Sequence, residues 1–345
     1  MGAAMNVNEF LILATTAPSA DNSQPWRFTQ TPEGLSCQYR HRKKGHDPFG
    51  TLGHGTLISA GALHENIVQI TATAAHTNEI TKLSEPNREW SILVPRPTIE
   101  SADAKGPFSA ILNRHTNRQP FKALSVKEIP LLNEDSTCRV TVLNERHEIA
   151  ALADSLQRCA EGRFNDPELH EWLFSSIRWS EREAESGTGL DISTLHLPPG
   201  GRWLMHWISS WERMRLLNRF GFYRILAHVD SALFRQAPAI IAFSGGGSVD
   251  AIWEAGRTIQ RTWISLNQAG IAVHPYYAIT DLGNRLRDGR LLTEWVQPIS
   301  KAQDQMRELL HLQADEQLHM LFRIGRPGKP AVRSRRLPAN AFLQK

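Results

Sequence analysis

The sequence is poor in cysteine and contains none of the common metal-binding motifs. Its 345 residues include only three cysteines, Cys37, Cys138 and Cys159, which lie far apart. A disulfide framework or a cysteine-based metal site requires closely spaced sets, so both are excluded and reduced thiols in a cytoplasmic protein are expected. The fourteen histidines include no HExxH pair, so no metal site is predicted.

Long apolar runs and strong net charge are also absent. No stretch approaches about 18 apolar residues, so no transmembrane helix and no integral membrane association are predicted. The first residues, MGAAMNVNEF, carry no positive cluster and therefore do not resemble a signal peptide. The net charge of +4 does not by itself indicate nucleic-acid binding. We expect a cytoplasmic protein that does not bind nucleic acid.

Catalytic side-chain sets cannot be identified either. The sequence shows no Ser-His-Asp or Cys-His arrangement and no telling carboxylate pair. The stretch FSGGGS at residues 243–248 could cradle phosphate after a strand, but it lacks both GK[ST] and the GxGxxG spacing. No residue is therefore assigned a catalytic role, and a bound cofactor is the natural carrier of any chemistry.

Hydrophobic periodicity predicts helices that alternate with short strands, which is typical of α+β or α/β proteins. Residues 55–76 and 249–269 predict long helices, each with small residues around a central Gly-Ala or Ala-Gly pair, and this similarity suggests an internal duplication. Residues 26–40 predict a hairpin. Further helices are expected to start near residue 125 and to cover residues 301–318.

Residues 201–229 predict one helix with an aromatic stripe. Trp203, Trp207 and Trp211 recur every four residues, and arginines flank them. Three interpretations stay open: a core or subunit interface, a membrane-surface helix, and a lid over a site.

Three polar segments can bind a ligand. The loop APSADNSQPWRF, residues 17–28, is either a capped turn or a set of backbone and side-chain groups that bind a planar, polar ligand. The segment RHTNRQPF, residues 114–121, is either a solvated loop or a donor set for phosphate or an electron-rich ring edge. The basic run at residues 323–336 is either a solvated tail or a phosphate clamp.

The first two segments together resemble the FMN-dependent nitroreductase family. They are similar to its divergent, internally duplicated branch, which includes the mycobacterial Acg-like proteins. In ordinary members an arginine motif precedes the APS-x-x-N-x-QPW loop, and FMN takes one motif from each subunit of a homodimer. Here the loop comes first, which implies an α+β nitroreductase-like fold with two fused halves that mimic the family homodimer.

The resemblance implies a division into two halves. Residues 1–108 would supply the loop, and residues 109–345 would supply the arginine motif, a lid at residues 198–236 and the basic stretch RSRRLP. The chain would then be either a monomer by duplication or a homodimer. The implied cofactor-binding residues are Pro18, Ser19, Asn22, Gln24, Arg114, His115, Thr116, Arg118, Tyr277, Arg333 and Arg336.

The implied function is an FMN oxidoreductase in which NADH or NADPH supplies two electrons, through flavin N5, to a small-molecule acceptor. One departure motivates an alternative. Where the family usually has an acid-Gly pair near N5, this chain reads Tyr276, Tyr277 and Ala278. The alternative is an FMN-binding protein without turnover, with a sequestering or regulatory role and an occluding lid.

Overall fold

The structure is a computed structural model that describes residues 6–40, 53–72, 81–84, 90–95, 105–132 and 137–344. These ranges contain twelve α-helices and twelve strands. The helices are α1 (Val7–Ala14), α2 (His54–Ala72), α3 (Lys105–Asn113), α4 (Arg146–Phe164), α5 (Pro167–Ser176), α6 (Glu181–Ala184), α7 (Gly201–Trp207), α8 (Trp211–Asn218), α9 (Phe222–Arg235), α10 (Val249–Gln268), α11 (Ala278–Arg287) and α12 (Thr293–Leu309). The strands are β1 (Trp26–Thr31), β2 (Gly34–Tyr39), β3 (Thr81–Ser84), β4 (Trp90–Pro95), β5 (Phe121–Lys122), β6 (Cys138–Leu143), β7 (Ile177–Arg178), β8 (Leu190–Asp191), β9 (Ala239–Gly246), β10 (Ala272–Tyr276), β11 (Glu316–Pro327) and β12 (Leu343–Gln344).

Capping residues fix where two important helices begin. Before α1, the Asn6 side chain accepts a hydrogen bond from the Glu9 backbone N–H, and the Glu9 carboxylate accepts one from Asn6 N–H. Before α10, the Ser248 hydroxyl accepts a hydrogen bond from Ala251 N–H. These bonds satisfy N–H groups that have no partner inside the helix. The position of α1 matters because it leads directly into the opening loop.

Two main sheets form the framework. The first has the strand order β12-β1-β2-β4-β3, and the second has the order β10-β11-β9-β6, with β5 paired to β11. In the first sheet β12 lies parallel to β1, with Phe28 opposite Leu343. The end of the chain therefore returns to the sheet that its first residues build, and this return carries the basic stretch past the opening loop.

Helices α2 and α10 pack directly against each other between the sheets. A Cβ atom on Gly61 would lie 2.0 Å from the Trp253 carbonyl oxygen, and one on Gly256 would lie 2.4 Å from the Ile58 carbonyl oxygen. Glycine at both positions lets the two backbones touch. Around this crossing, apolar side chains of both helices and both sheets form one continuous core.

The α+β class and the hairpin are confirmed, whereas three local predictions are wrong. Residues 126–128 form only one 3₁₀ turn, because Pro130 favours an extended Ile129. Residues 201–229 form three helices rather than one, with Gly221 at φ 82° before the third. The helix predicted at residues 301–318 is α12, which ends earlier, before His311 at φ 50°. The fused halves and their boundary remain predictions.

None of the helices in the described ranges is long and apolar enough to cross a membrane. All three cysteines are buried, and burial raises the pKa of Cys37 and raises that of Cys159 to about 12.

Candidate functional site

The opening loop holds three polar residues in an unusual backbone conformation. Asp21, Asn22 and Gln24 have φ values of 47°, 57° and 50°. This left-handed region is unfavourable for side chains other than glycine, although Asp and Asn tolerate it best. The Ser19 hydroxyl accepts a hydrogen bond from Gln24 N–H at 2.9 Å and closes the turn. Such strain persists only where the surrounding structure imposes it, and it is common at functional sites.

Two amide side chains tie this loop to distant segments. Asn22 Nδ2 donates to the Arg335 carbonyl at 2.8 Å and to the Gly189 carbonyl at 3.1 Å. Gln24 Nε2 donates to the Gly187 carbonyl at 2.8 Å, and its Oε1 accepts from Leu337 N–H at 3.3 Å. The loop is therefore clamped between residues 187–189 and the C-terminal stretch.

Two arginines hold the backbone at the start of the loop. Arg114 donates from Nη2 to the carbonyl of Thr16, 98 positions earlier in the chain, at 2.8 Å. Its guanidinium lies 4.5 Å from the centre of the Trp263 ring. Arg336, 321 positions away, donates from Nη1 to the carbonyls of Thr15 at 3.0 Å and Ala17 at 2.9 Å. The loop and the arginines identified in the sequence thus meet in space.

A third arginine completes a positively charged group. Arg333 donates to the Leu112 carbonyl at 3.0 Å and the Asn113 carbonyl at 3.2 Å, and it lies 3.3 Å from His115 Nδ1. Burial, and then the charges of Arg336 and Arg333, hold the pKa of Arg114 well below its ordinary value. Burial lowers the pKa of Arg336 to about 10.

This positive charge has no acidic counterpart among the described residues. Arg335 pairs with Glu181 at 2.8 Å, but Arg114, Arg333 and Arg336 form no ion pair with any described carboxylate. The Nε of Arg114 is buried without a hydrogen-bond partner. An anionic ligand is the group that would relieve both conditions.

Two other residues of the arginine motif make hydrogen bonds to α10 and to Thr194. The His115 backbone N–H donates to Asn267 Oδ1 at 2.7 Å, and Thr116 is half-buried. Arg118 is half-buried and donates to Thr194 Oγ1 at 3.4 Å. Burial lowers its pKa, and the charge of Asp21 opposes that effect. Pro18, also half-buried, precedes the turn.

An open cavity lies next to Arg336. Its volume is about 490 Å³, which is within the usual range for small-molecule sites. The end of the chain forms one wall, at residues 336–340, and α1 contributes Asn8 and Ile12. Thr15 and Thr16, whose carbonyls the arginines hold, also line it.

The first arginine of the basic run at residues 323–336 lies inside the protein and is not part of a solvated tail. Arg323 on β11 is only 1% exposed, and its guanidinium lies 3.9 Å from the centre of the Phe121 ring. It donates to the Gln119 carbonyl at 3.0 Å and lies 3.4 Å from His274 Nδ1. Burial lowers the pKa of Arg323 to about 10, and burial with the charges of Arg323 and Arg118 lowers that of His274.

Tyr277 lies in a second buried cluster, with two histidines that the sequence reasoning missed. His54 Nδ1 is 3.0 Å from the Tyr277 hydroxyl, and His54 Nε2 is 3.0 Å from His319 Nδ1. Burial lowers the pKa of both histidines, that of His319 to about 4, so both rings are neutral at neutral pH. A neutral imidazole has one donor and one acceptor, so the three groups can form a continuous hydrogen-bonded chain.

The sequence contains a signal for the burial of His319 and Arg323. His319 and Arg323 interrupt the otherwise apolar run LHMLFRIG of a strand that is buried along most of its length. Polar groups in such a strand must find partners inside the protein. The structure therefore brings the opening loop, Arg114, Arg118, Arg333 and Arg336 together, and it places Tyr277 in the histidine cluster.

Comparisons with known proteins give distant similarities. No family model matches the chain. The uncharacterized protein MT1398 of Mycobacterium tuberculosis is 21% identical over 336 residues, which are 95% of this chain and 47% of that protein. The uncharacterized protein Rv3127 of the same species is 30% identical over 122 residues, 32% of this chain and 34% of that protein. The chain thus spans about half the length of the first relative and matches about a third of the second.

Among solved structures, the iodotyrosine deiodinase bound to FMN and 3-iodo-L-tyrosine is 12% identical, with a TM-score of 0.35 over 67% of this chain and 94% of that one. A BluB-like flavoprotein from Clostridium difficile is 12% identical, with a TM-score of 0.36 over 68% of this chain and 95% of that one. The chain is similar to nitroreductase-family flavoproteins.

Proposed function

We propose that this chain binds FMN and acts as an NADH- or NADPH-dependent oxidoreductase on a small acceptor. The observation that carries the proposal is that Arg114 and Arg336 bind the start of the opening loop while Arg333 binds the segment just before Arg114, and that none of the three has a described acidic partner. These segments lie far apart in the sequence, and in the folded chain they bring three positive charges close together. A ligand that carries a phosphate group has the opposite charge that these arginines need.

Arg333 and Arg336 would bind the phosphate group of FMN. Arg333 is exposed and Arg336 is half-buried beside the open cavity, so both can reach a ligand that enters from solvent. Guanidinium groups match phosphate geometry and form strong charge-assisted hydrogen bonds. A dianionic phosphate would also compensate the burial and the neighbouring charges of Arg336 and Arg333, which together lower the pKa of Arg114.

Arg118 would bind the edge of the FMN ring system. Its one described hydrogen bond, to Thr194, is long at 3.4 Å, so its guanidinium has donors to offer a ring edge. A fixed positive charge there would stabilise negative charge on the ligand. Asn22 and Gln24 shape the loop through their bonds to residues 187–189 and 335–337. FMN, when bound, supplies the redox chemistry by accepting a hydride and passing on two electrons.

The substitution Arg118→Ala is expected to weaken FMN binding about 10- to 150-fold, because one charge-assisted hydrogen bond contributes roughly 1.5–3 kcal/mol. The measurement is an equilibrium titration of FMN into flavin-free protein. Arg326→Ala is the matched control, since Arg326 is exposed and pairs with Glu128. Unchanged affinity in Arg118→Ala would contradict the role of this residue.

The oxidoreductase part has a separate test. FMN-loaded protein is mixed with NADH or NADPH without oxygen, and the loss of oxidised flavin absorbance is followed. We expect reduction by at least one nicotinamide, and reoxidation when a small quinone or nitroaromatic acceptor is added. If neither nicotinamide reduces the bound FMN, the proposed turnover is wrong, whereas the proposed FMN binding still holds.

A further inference from the structure

The surface of α7, α8 and α9 exposes unusually many apolar side chains. Trp203 is 71% exposed and Phe220 is 85% exposed, which excludes a core role for both. Scattered exposed apolar residues are ordinary, but a concentration on one segment indicates an interaction surface. The exposed side chains of these three consecutive helices, called here the aromatic-basic surface, are Trp203, Trp207, Leu216, Phe220, Ile225 and Val229 together with Arg202, Arg213, Arg215, Arg219 and Arg224.

The outer side chains are ordered against one another. The Trp203 and Trp207 rings stack with centres 6.4 Å apart and an angle of 10° between their planes. Arg213 donates to the Trp207 carbonyl at 3.1 Å, and its guanidinium lies 5.8 Å from the centre of the Trp207 ring. On α9, Ile225 and Val229 are four residues apart and therefore share one face of the helix.

The same helices already have an inner face that packs on the protein. Ile208, Met214, Ala227 and Phe234 are buried. Trp211, the third tryptophan of the predicted stripe, is half-buried and makes an edge contact with the His170 ring. The exposed apolar side chains are therefore additional to those that fold the segment.

The charge on this surface is predominantly positive. Residues 201–235 contain six arginines and two acids, a net charge of +4, which is as large as that of the whole chain. The two acids are Glu212 and Asp230, and Asp230 accepts a hydrogen bond from the Tyr276 hydroxyl. In the described parts of the chain, only Arg235 of the six arginines forms an ion pair, with Asp154.

We propose that the aromatic-basic surface docks on an anionic lipid bilayer. Arginine binds lipid phosphate, and Trp and Phe partition into the interface between headgroups and acyl chains. Leu216, Ile225 and Val229 favour a bilayer over nucleic acid, because aliphatic side chains gain from an apolar interior and do not stack on bases. A second copy of this chain is disfavoured, because a symmetric contact would place two positive surfaces against each other.

Sedimentation with vesicles tests the proposal on the full chain. At low salt we expect binding to vesicles of phosphatidylcholine and phosphatidylglycerol in equal amounts, and none to phosphatidylcholine alone. Arg215→Glu with Arg219→Glu is expected to reduce binding by at least about tenfold per arginine. Trp203→Ala with Phe220→Ala should reduce it by on the order of tenfold while leaving thermal stability unchanged, because both side chains are exposed.

Leu131→Ala is the control, since Leu131 is 97% exposed and lies outside this surface. Absence of binding to the mixed vesicles, or equal binding by the charge-reversal variant, would overturn the proposal. Binding to single-stranded DNA or polyphosphate without binding to vesicles, or self-association alone, would overturn it as well. None of these outcomes depends on flavin.

Discussion

Gly61→Ala is expected to lower the free energy of unfolding by about 3 kcal/mol, at the upper end of typical overpacking costs. The added methyl would meet the Trp253 carbonyl oxygen at 2.0 Å and the Gly256 Cα at 3.0 Å. These are backbone atoms in the middle of a helix, so neither can turn away as a side chain could. Helices α2 and α10 would have to separate, and their contact lies in the middle of the core.

Urea denaturation of Gly61→Ala, Gly256→Ala and the double variant measures this effect. We expect the double variant to lose less than the sum of the single losses, because one separation of the helices relieves both contacts. Gly247→Ala is the control, since its methyl would lie 3.6 Å from the nearest atom, in Gln317, an ordinary contact distance. A loss for Gly61→Ala no larger than that for Gly247→Ala would show that the helices do not touch as described.

Glu65→Ala is expected to cost about 3 kcal/mol of unfolding free energy. The Glu65 carboxylate on α2 is buried and accepts two hydrogen bonds from Arg261, both at 2.9 Å, and one from Arg257 at 3.2 Å. Its removal leaves two neighbouring guanidinium groups of α10 without their shared partner. Breaking a buried pair costs about 3–5 kcal/mol, and the partial exposure of both arginines favours the lower end.

Glu254→Ala provides the matched comparison. Glu254 pairs with Arg257 at 3.0 Å on the same helix, but it is more exposed and lies three residues away along that helix. Such a pair contributes less than about 1 kcal/mol. Equal losses of stability in Glu65→Ala and Glu254→Ala, measured by urea denaturation at neutral pH, would contradict a buried ion pair at the contact of α2 and α10.

The helices and strands could be predicted from the sequence where neighbouring residues alone determine them. The hairpin of β1 and β2 follows from alternation and a turn. The two long helices follow from hydrophobic periodicity, and glycine at positions 61 and 256 is what allows them to pack closely on each other. Residues 201–229 were misread because their helical spacing continues across the breaks, and spacing alone does not show where Gly221 turns the chain.

The candidate site was predictable only in part. The opening loop and the arginine motif stand out as polar segments, whereas the contacts of Asn22 with residues 187–189 depend on the folded path of the chain. Arg323 and His274 meet because β10 pairs with β11, with His274 opposite Arg323. The register between two distant strands cannot be predicted from either segment alone, so the contact between Arg323 and His274 was not expected.

The most direct test of the proposed FMN site compares FMN with riboflavin. The two ligands share the ring system and the ribityl chain and differ in the phosphate, which we assign to Arg114, Arg333 and Arg336. Equilibrium titration of each into flavin-free protein is expected to show FMN binding roughly 100-fold tighter, the contribution of about one or two charge-assisted hydrogen bonds. Equal affinities, or no binding of FMN, would contradict the assignment.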